Sequence, residues 1–246
     1  MSVNEKMTAI ADAIRKRTKG TEQLTLDDMA TEITNVYDTG KNHRTRDFWE
    51  RITGNGRRTN YNNGFRNTDL TGETFPEDLF TIKNSPTLFY NYYGTHLPQG
   101  VDLSQINTTL GTSSSHAYNI VGNSPNLEEI YDWKMPAMLD YYYSFQGCPM
   151  LRKIAKVRVV KESTFAGAFN ALPSLEEIGF EGVIGNYLNL SECPKLSHDT
   201  LLNVIDCLYN YSSSGTTKTL TLGTTNLAKL TNAEKAIATE KGWSLA

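Results

Sequence analysis

Five prolines frame the middle of this chain. Pro86, Pro125, Pro149, Pro173 and Pro194 are spaced 39, 24, 24 and 21 residues apart. Four residues before each stands an apolar side chain: Ile82, Val121, Phe145, Phe169 and Leu190. Two residues after each is a leucine: Leu88, Leu127, Leu151, Leu175 and Leu196. Ile130, Ile154 and Ile178 follow at five residues in the central copies, and Met135, Val159, Val183 and Val204 at ten in all but the first. Such a period describes a unit of one short strand and a return segment. Neither part buries its apolar side until a neighbouring unit stacks on it.

The period lies in the leucine-rich-repeat range, so the expected class is α/β. The expected architecture is a leucine-rich-repeat solenoid of short parallel strands, with an N-terminal helical hairpin and a C-terminal α/β cap. Charge supports a stacked register. Leu127-Glu128-Glu129-Ile130, Leu151-Arg152-Lys153-Ile154 and Leu175-Glu176-Glu177-Ile178 alternate acid, base and acid. Side by side on parallel strands, each opposed pair contributes roughly 0.2–1 kcal/mol.

Four segments follow from this frame. Residues 1–37 read as a helical hairpin. Its apolar stripe is Met7, Ile10, Ile14, Met29 and Ile33, with Gly20 at the turn and Thr25 capping the second helix. About 35 residues cannot bury enough surface to stand alone, so the stripe is expected to attach the chain to something else. Residues 38–80 read as a basic linker and N-terminal cap, with Phe48 and Trp49 as apolar anchors in a wet, turn-rich stretch. Residues 81–196 carry the repeats, with a Gly-, Ser- and Thr-rich irregular segment between Gly94 and Asn123. Residues 197–246 read as a helix-strand-helix-strand cap. Ser197 or Asp199 starts its first helix and Thr231 caps the second.

Composition excludes several functions. A net charge of −3 argues against a nucleic-acid partner. No apolar run approaches the roughly 20 residues of a membrane span, so no membrane insertion is expected. The first residues lack an apolar signal-peptide core, and three cysteines cannot close a disulfide framework; both fit a reducing cytoplasm. His43, His96, His116 and His198 show no metal-ligand spacing, and no serine stands in a nucleophile-elbow pattern. No catalytic residue, metal or cofactor is therefore expected. The informative chemistry is aromatic, since eight of the 13 tyrosines fall between 90 and 143. Strict alternation after Ile130 places Tyr131 and Trp133 on one face, while the next copies carry Ala155 with Val157 and Gly179 with Glu181. Bulk that does not repeat suggests a local binding patch of Tyr131, Trp133, Tyr90, Tyr92 and Tyr141.

Phe145-Gln146-Gly147-Cys148-Pro149-Met150-Leu151-Arg152-Lys153-Ile154 resembles the F-x-G-C-x-x-L-x-x-I core of BspA-like leucine-rich repeats. Met7 to Arg15 with Leu24 to Met29 is similar to an N-terminal module of tail-associated proteins of phages and prophages. Phe48-Trp49-Glu50 with Asn55 to Tyr61 resembles their linker. Thr219 to Gly223, Asn226 to Leu230 and Lys241-Gly242-Trp243 resemble their usual end. The chain departs from the family in its 39-residue spacing and in Ala171-Leu172. The resemblance implies a non-enzymatic phage virion structural protein of tail, baseplate or head appendage, assembled in the host bacterial cytoplasm. Its repeat surface would serve host-cell recognition or virion assembly. The implied partners are other virion proteins, a host surface protein or glycan, and a second copy of the chain. The alternatives are a bacterial surface adhesin and a cell-wall hydrolase.

Overall fold

The computed structural model describes residues 46–57, 63–80, 82–83, 87–106 and 118–246. The chain divides into Met1–Thr45 and Arg46–Ala246, and every described residue lies in the second unit. The hairpin at 1–37, its stripe of Met7, Ile10, Ile14, Met29 and Ile33, and Pro86 lie outside the described residues.

The stretch read as a wet linker contains a helix, α1 (Arg46–Thr53). Trp49 makes the difference. Its buried ring meets Phe75 at 5.0 Å and Phe80 at 5.6 Å, and Phe75 stacks on Phe80 at 4.1 Å. Arg46 adds a bridge to Asp78 at 2.7 Å and one to Glu50 at 2.8 Å. Left-handed Gly54 and Asn55 end the helix, and the Asn55 amide donates to the Glu50 carbonyl at 2.8 Å. These contacts hold residues 75–80 in place, and that segment forms one wall of the cleft described below.

The first sheet contains β1 (Glu129–Ile130), β2 (Lys153–Val159) and β3 (Glu177–Gly182), all parallel. Glu129 pairs with Lys153 and Lys153 with Glu177, while Ile130, Ile154 and Ile178 stack inward. Acid, base and acid thus lie side by side. Lys153 bridges Glu177 at 2.6 Å and Arg152 bridges Glu128 at 3.0 Å. Leu88, Leu127, Leu151, Leu175 and Leu196 are all fully buried. Turns on the far side also pair across copies, as in Phe89 N to the Ile120 carbonyl and Phe145 N to the Ala168 carbonyl.

The architecture nevertheless differs from the expected one. Among the described residues there are four helices and six strands, and the strands fall into two separate three-stranded parallel sheets. The fold is therefore a small α/β arrangement. It is not the expected leucine-rich-repeat solenoid, and the resemblance to BspA-like and phage tail proteins falls with it. Both edges of the first sheet show why the ladder stops. Beyond β1, among the described residues, only isolated bridges form, such as His96 with Glu129, and left-handed Lys134 breaks the strand direction. Beyond β3 stands α2 (His198–Cys207), whose Asn203 occupies the strand edge. The Asn203 side chain accepts from Phe180 N at 2.9 Å and donates to the Phe180 carbonyl at 3.3 Å. An edge satisfied by a helix cannot recruit a further strand.

The C-terminal residues build their own sheet. β4 (Leu188–Asn189) pairs with β5 (Lys218–Thr221), which pairs with β6 (Trp243–Leu245). Ser197 caps α2 by accepting from Thr200 N, and Asp199 lies in the first turn. α3 (Gly223–Leu227) and α4 (Asn232–Glu240) complete the unit, the latter with a capping box of Thr231 and Glu234. Asn226 is fully buried and directs its amide at the carbonyls of Cys193 and Leu222, at 3.0 and 3.1 Å. It thereby satisfies loop groups that burial would otherwise leave unpaired.

Candidate binding cleft

Three segments far apart in sequence meet at one concavity of about 490 Å³. Glu77, Phe80 and Ile82 form one side. Gly100, Val101, Asp102, Ser104 and Gln105 form another, and Tyr131, Asp132 and Lys134 close it. The Trp49–Phe75–Phe80 stack fixes the first wall from behind. Gly100 permits the close approach of the second: its φ is +76°, and a Cβ there would lie 2.7 Å from the Phe75 carbonyl oxygen.

Hydrogen bonds hold the third side. The Tyr131 hydroxyl donates to the Pro98 carbonyl and accepts from Val101 N at 3.1 Å. Burial pushes its phenol up to about 12, so it stays protonated. Asp132 accepts two hydrogen bonds of 2.8 Å from the Arg158 guanidinium, and its other contacts include Lys134 N at 3.0 Å. Arg158 holds the Asp132 carboxyl down to about 2. Lys134 Nζ bridges Asp102 at 3.0 Å. Burial raises the Asp102 carboxyl, but hydrogen bonds from Ser104 and Lys134 outweigh this and leave it below its ordinary value. Both carboxylates are therefore fixed, ionised acceptors.

The five aromatic residues expected in one patch are not brought together. Trp133, Tyr92 and Tyr141 are fully buried, so the patch centred on Trp133 is not a surface. The Tyr92 hydroxyl donates to the His96 carbonyl at 2.8 Å and that of Tyr141 to the Arg158 carbonyl at 2.5 Å. Half-buried Tyr90 lies under Arg66, 5.0 Å from its ring centre, and accepts from Asn123 at 3.0 Å. Of the five, Tyr131 alone lines the cleft. Sequence reasoning missed Phe80, Asp102 and Lys134. No local signal could have found the last two, since Asp102 and Lys134 stand 32 residues apart with no motif around them.

The cysteines offer no nucleophile. Burial pushes the Cys148 and Cys193 thiols up to about 12, and each sulfur donates to a backbone carbonyl. Among the described residues no three His, Cys, Asp or Glu side chains gather as a metal would need, and no helix is long and apolar enough to cross a membrane.

No family model, curated protein or solved structure matches the chain. The virion structural role, with its host-recognition and assembly functions, depended on the repeat architecture and is withdrawn with it. The adhesin depended on the same architecture, and nothing observed favours the hydrolase.

The Asp132–Arg158 pair makes the stability of the chain depend on pH. Arg158 holds the folded carboxyl at about 2, below the ordinary aspartate value of 3.8. A depressed value stabilises the folded state above the unfolded titration point, and the gain is lost as pH falls from about 4 towards 2. Asp132 is 37% exposed, so screening limits the gain to about 1 kcal/mol or less. Urea melts should show Asp132→Asn below wild type by that amount at pH 7, with the gap closing near pH 2. A gap independent of pH would mean that packing and not charge sets the effect.

Proposed function

We propose that this chain is a non-catalytic binding protein whose cleft takes a neutral carbohydrate. The observation that carries the reading is the Asp102–Lys134 bridge beside the Tyr131 and Phe80 rings in one concavity. Aromatic walls suit the C–H faces of a sugar ring. Ionised carboxylates accept from hydroxyls, while the Lys134 ammonium and the Gln105 amide donate to them. Glu77, Asp102 and Asp132 together repel an anionic ligand. Neither Asp102 nor Asp132 suits a general acid, which needs a raised titration point, since both are lowered.

The test is a titration of the full chain with a panel of neutral mono- and oligosaccharides, followed by calorimetry and by NMR. Saturable shifts are expected at Tyr131, Gln105 and Lys134. Asp102→Ala removes a charge-assisted hydrogen bond worth about 1.5–3 kcal/mol, so affinity should fall roughly 10- to 100-fold. If no saccharide moves these resonances, or if Asp102→Ala binds as wild type does, the carbohydrate reading fails.

A further inference from the structure

We infer that Lys161 and Lys218, held against the rings of Tyr209 and Tyr211, form an oxyanion site that takes a phosphate or sulfate group. Lys161 Nζ stands 4.0 Å from the Tyr209 ring centre and 5.6 Å from that of Tyr211. Lys218 Nζ stands 5.9 Å from the Tyr211 ring centre. Both ammonium groups thus lie within 6 Å of the Tyr211 ring centre. Among the described residues neither makes an ion pair; Lys218 donates only to the Asn186 side-chain oxygen, at 3.3 Å.

The contrast with the rest of the surface is informative. Lys134, Lys153 and Lys156 each bridge a carboxylate at 3.0 Å or less. Lys229 and Lys241 instead donate to backbone carbonyls, at 2.6–2.9 Å. Lys161 and Lys218 differ from both groups in sharing the Tyr211 ring. Like charges brought together repel, and ring faces offset only part of that cost. An anion between them converts the repulsion into attraction, with the remaining N–H groups as donors.

The frame around these lysines is fixed in advance. The Tyr211 hydroxyl donates to the Gly185 carbonyl at 2.8 Å, and Trp243 Nε1 donates to the Tyr209 carbonyl at 2.9 Å. Asn186 spans the two loops, donating to the Glu162 and Ser163 carbonyls at 3.1 and 3.2 Å. Gly185 is required where it stands, since a Cβ there would lie 2.6 Å from Lys161 Cγ and 2.3 Å from the Lys161 carbonyl oxygen. The Lys161 stem therefore rests on bare backbone. Donors ordered before binding lower the entropic cost of capturing a ligand. The site shares no residue with the Tyr131 cleft, so it stands or falls independently of the carbohydrate reading.

The experiment follows the lysine ε-methylene resonances of the full chain by NMR during titration with inorganic phosphate and inorganic sulfate. Sodium chloride at matched ionic strength is the control. Saturable shifts are expected at Lys161 and Lys218 with either oxyanion. Lys161→Gln and Lys218→Gln should each weaken binding at least about tenfold, with Lys195→Gln unchanged. Glucose 6-phosphate and galactose 6-sulfate then distinguish the two natural sources by which binds tighter. Equal shifts with chloride, no shifts in the wild-type chain, or undiminished binding in either variant would each overturn the site. The wild-type titration decides the matter even if a variant does not fold.

Discussion

Trp133→Ala is expected to destabilise the chain by about 3–5 kcal/mol, the range for removing a large aromatic from a packed core. The ring is 0% exposed, and its backbone carbonyl accepts from Leu103 N at 3.0 Å. Its indole N–H has no partner among the described residues, so the side chain already bears a desolvation cost. Trp133→Phe should therefore cost much less, about 1–2 kcal/mol, because it loses volume but also removes an unpaired donor. Urea melts of the two variants provide the measurement. A loss below about 1 kcal/mol for Trp133→Ala would remove the ring from the core.

The reason alternation misplaced this residue is physical. A strand turns successive side chains to opposite faces, so Tyr131 and Trp133 should share a face. Instead Ile130 and Trp133 are both buried, with Tyr131 and Asp132 outward between them. The next copy repeats this with Ile154 and Val157 around Ala155 and Lys156. The third copy omits one residue: Val157 pairs with Phe180, and the register shifts between Ile154 and Val157. The core position therefore reads Trp133, Val157 and Phe180, bulky in every copy. The apparent decline from Tyr131 to Ala155 to Gly179 has a different cause. A Cβ at Gly179 would lie 2.2 Å from the Ala155 carbonyl oxygen, so the backbone approach sets the residue there. A bulge of one residue exchanges the two faces, and nothing in local composition marks it.

Other parts were legible in proportion to how local their causes are. The buried leucines, the acid-base-acid register of 129, 153 and 177, and the capping residues Ser197 and Thr231 all follow from short-range pattern. The end of the first sheet did not, because it depends on Asn203 reaching Phe180 from another element. Helix α1 was hidden by its polar composition, and Trp49 reveals its role only once Phe75 and Phe80 are beside it. The cleft joins residues 77–82, 100–105 and 131–134, and no single segment carries its chemistry. The same is true of the lysine–tyrosine site, whose parts come from four loops and strand ends.

Gly182→Ala is expected to cost about 2–4 kcal/mol, through backbone strain and overpacking together. Gly182 closes β3 with φ at +116°, a region that side chains rarely enter. A Cβ there would lie 2.0 Å from the Val159 carbonyl oxygen and 3.1 Å from its carbon. That oxygen is the acceptor for Val183 N at 3.3 Å, so relief of the clash breaks the last tie between β2 and β3. Gly215→Ala is the matched control. It also has positive φ, at +66°, but nothing lies within 4 Å of its Cβ, so conformational strain alone should cost about 1 kcal/mol. Thermal and urea unfolding of both variants isolate the steric part as their difference, and equal losses would show that the strands do not approach this closely. The chain runs from Gly182 directly into Gly185 and Asn186, which brace Lys161 and Lys218. Shifting that end of β3 should therefore weaken phosphate binding as well as the fold, whereas Gly215→Ala should leave the Lys161 resonances unchanged.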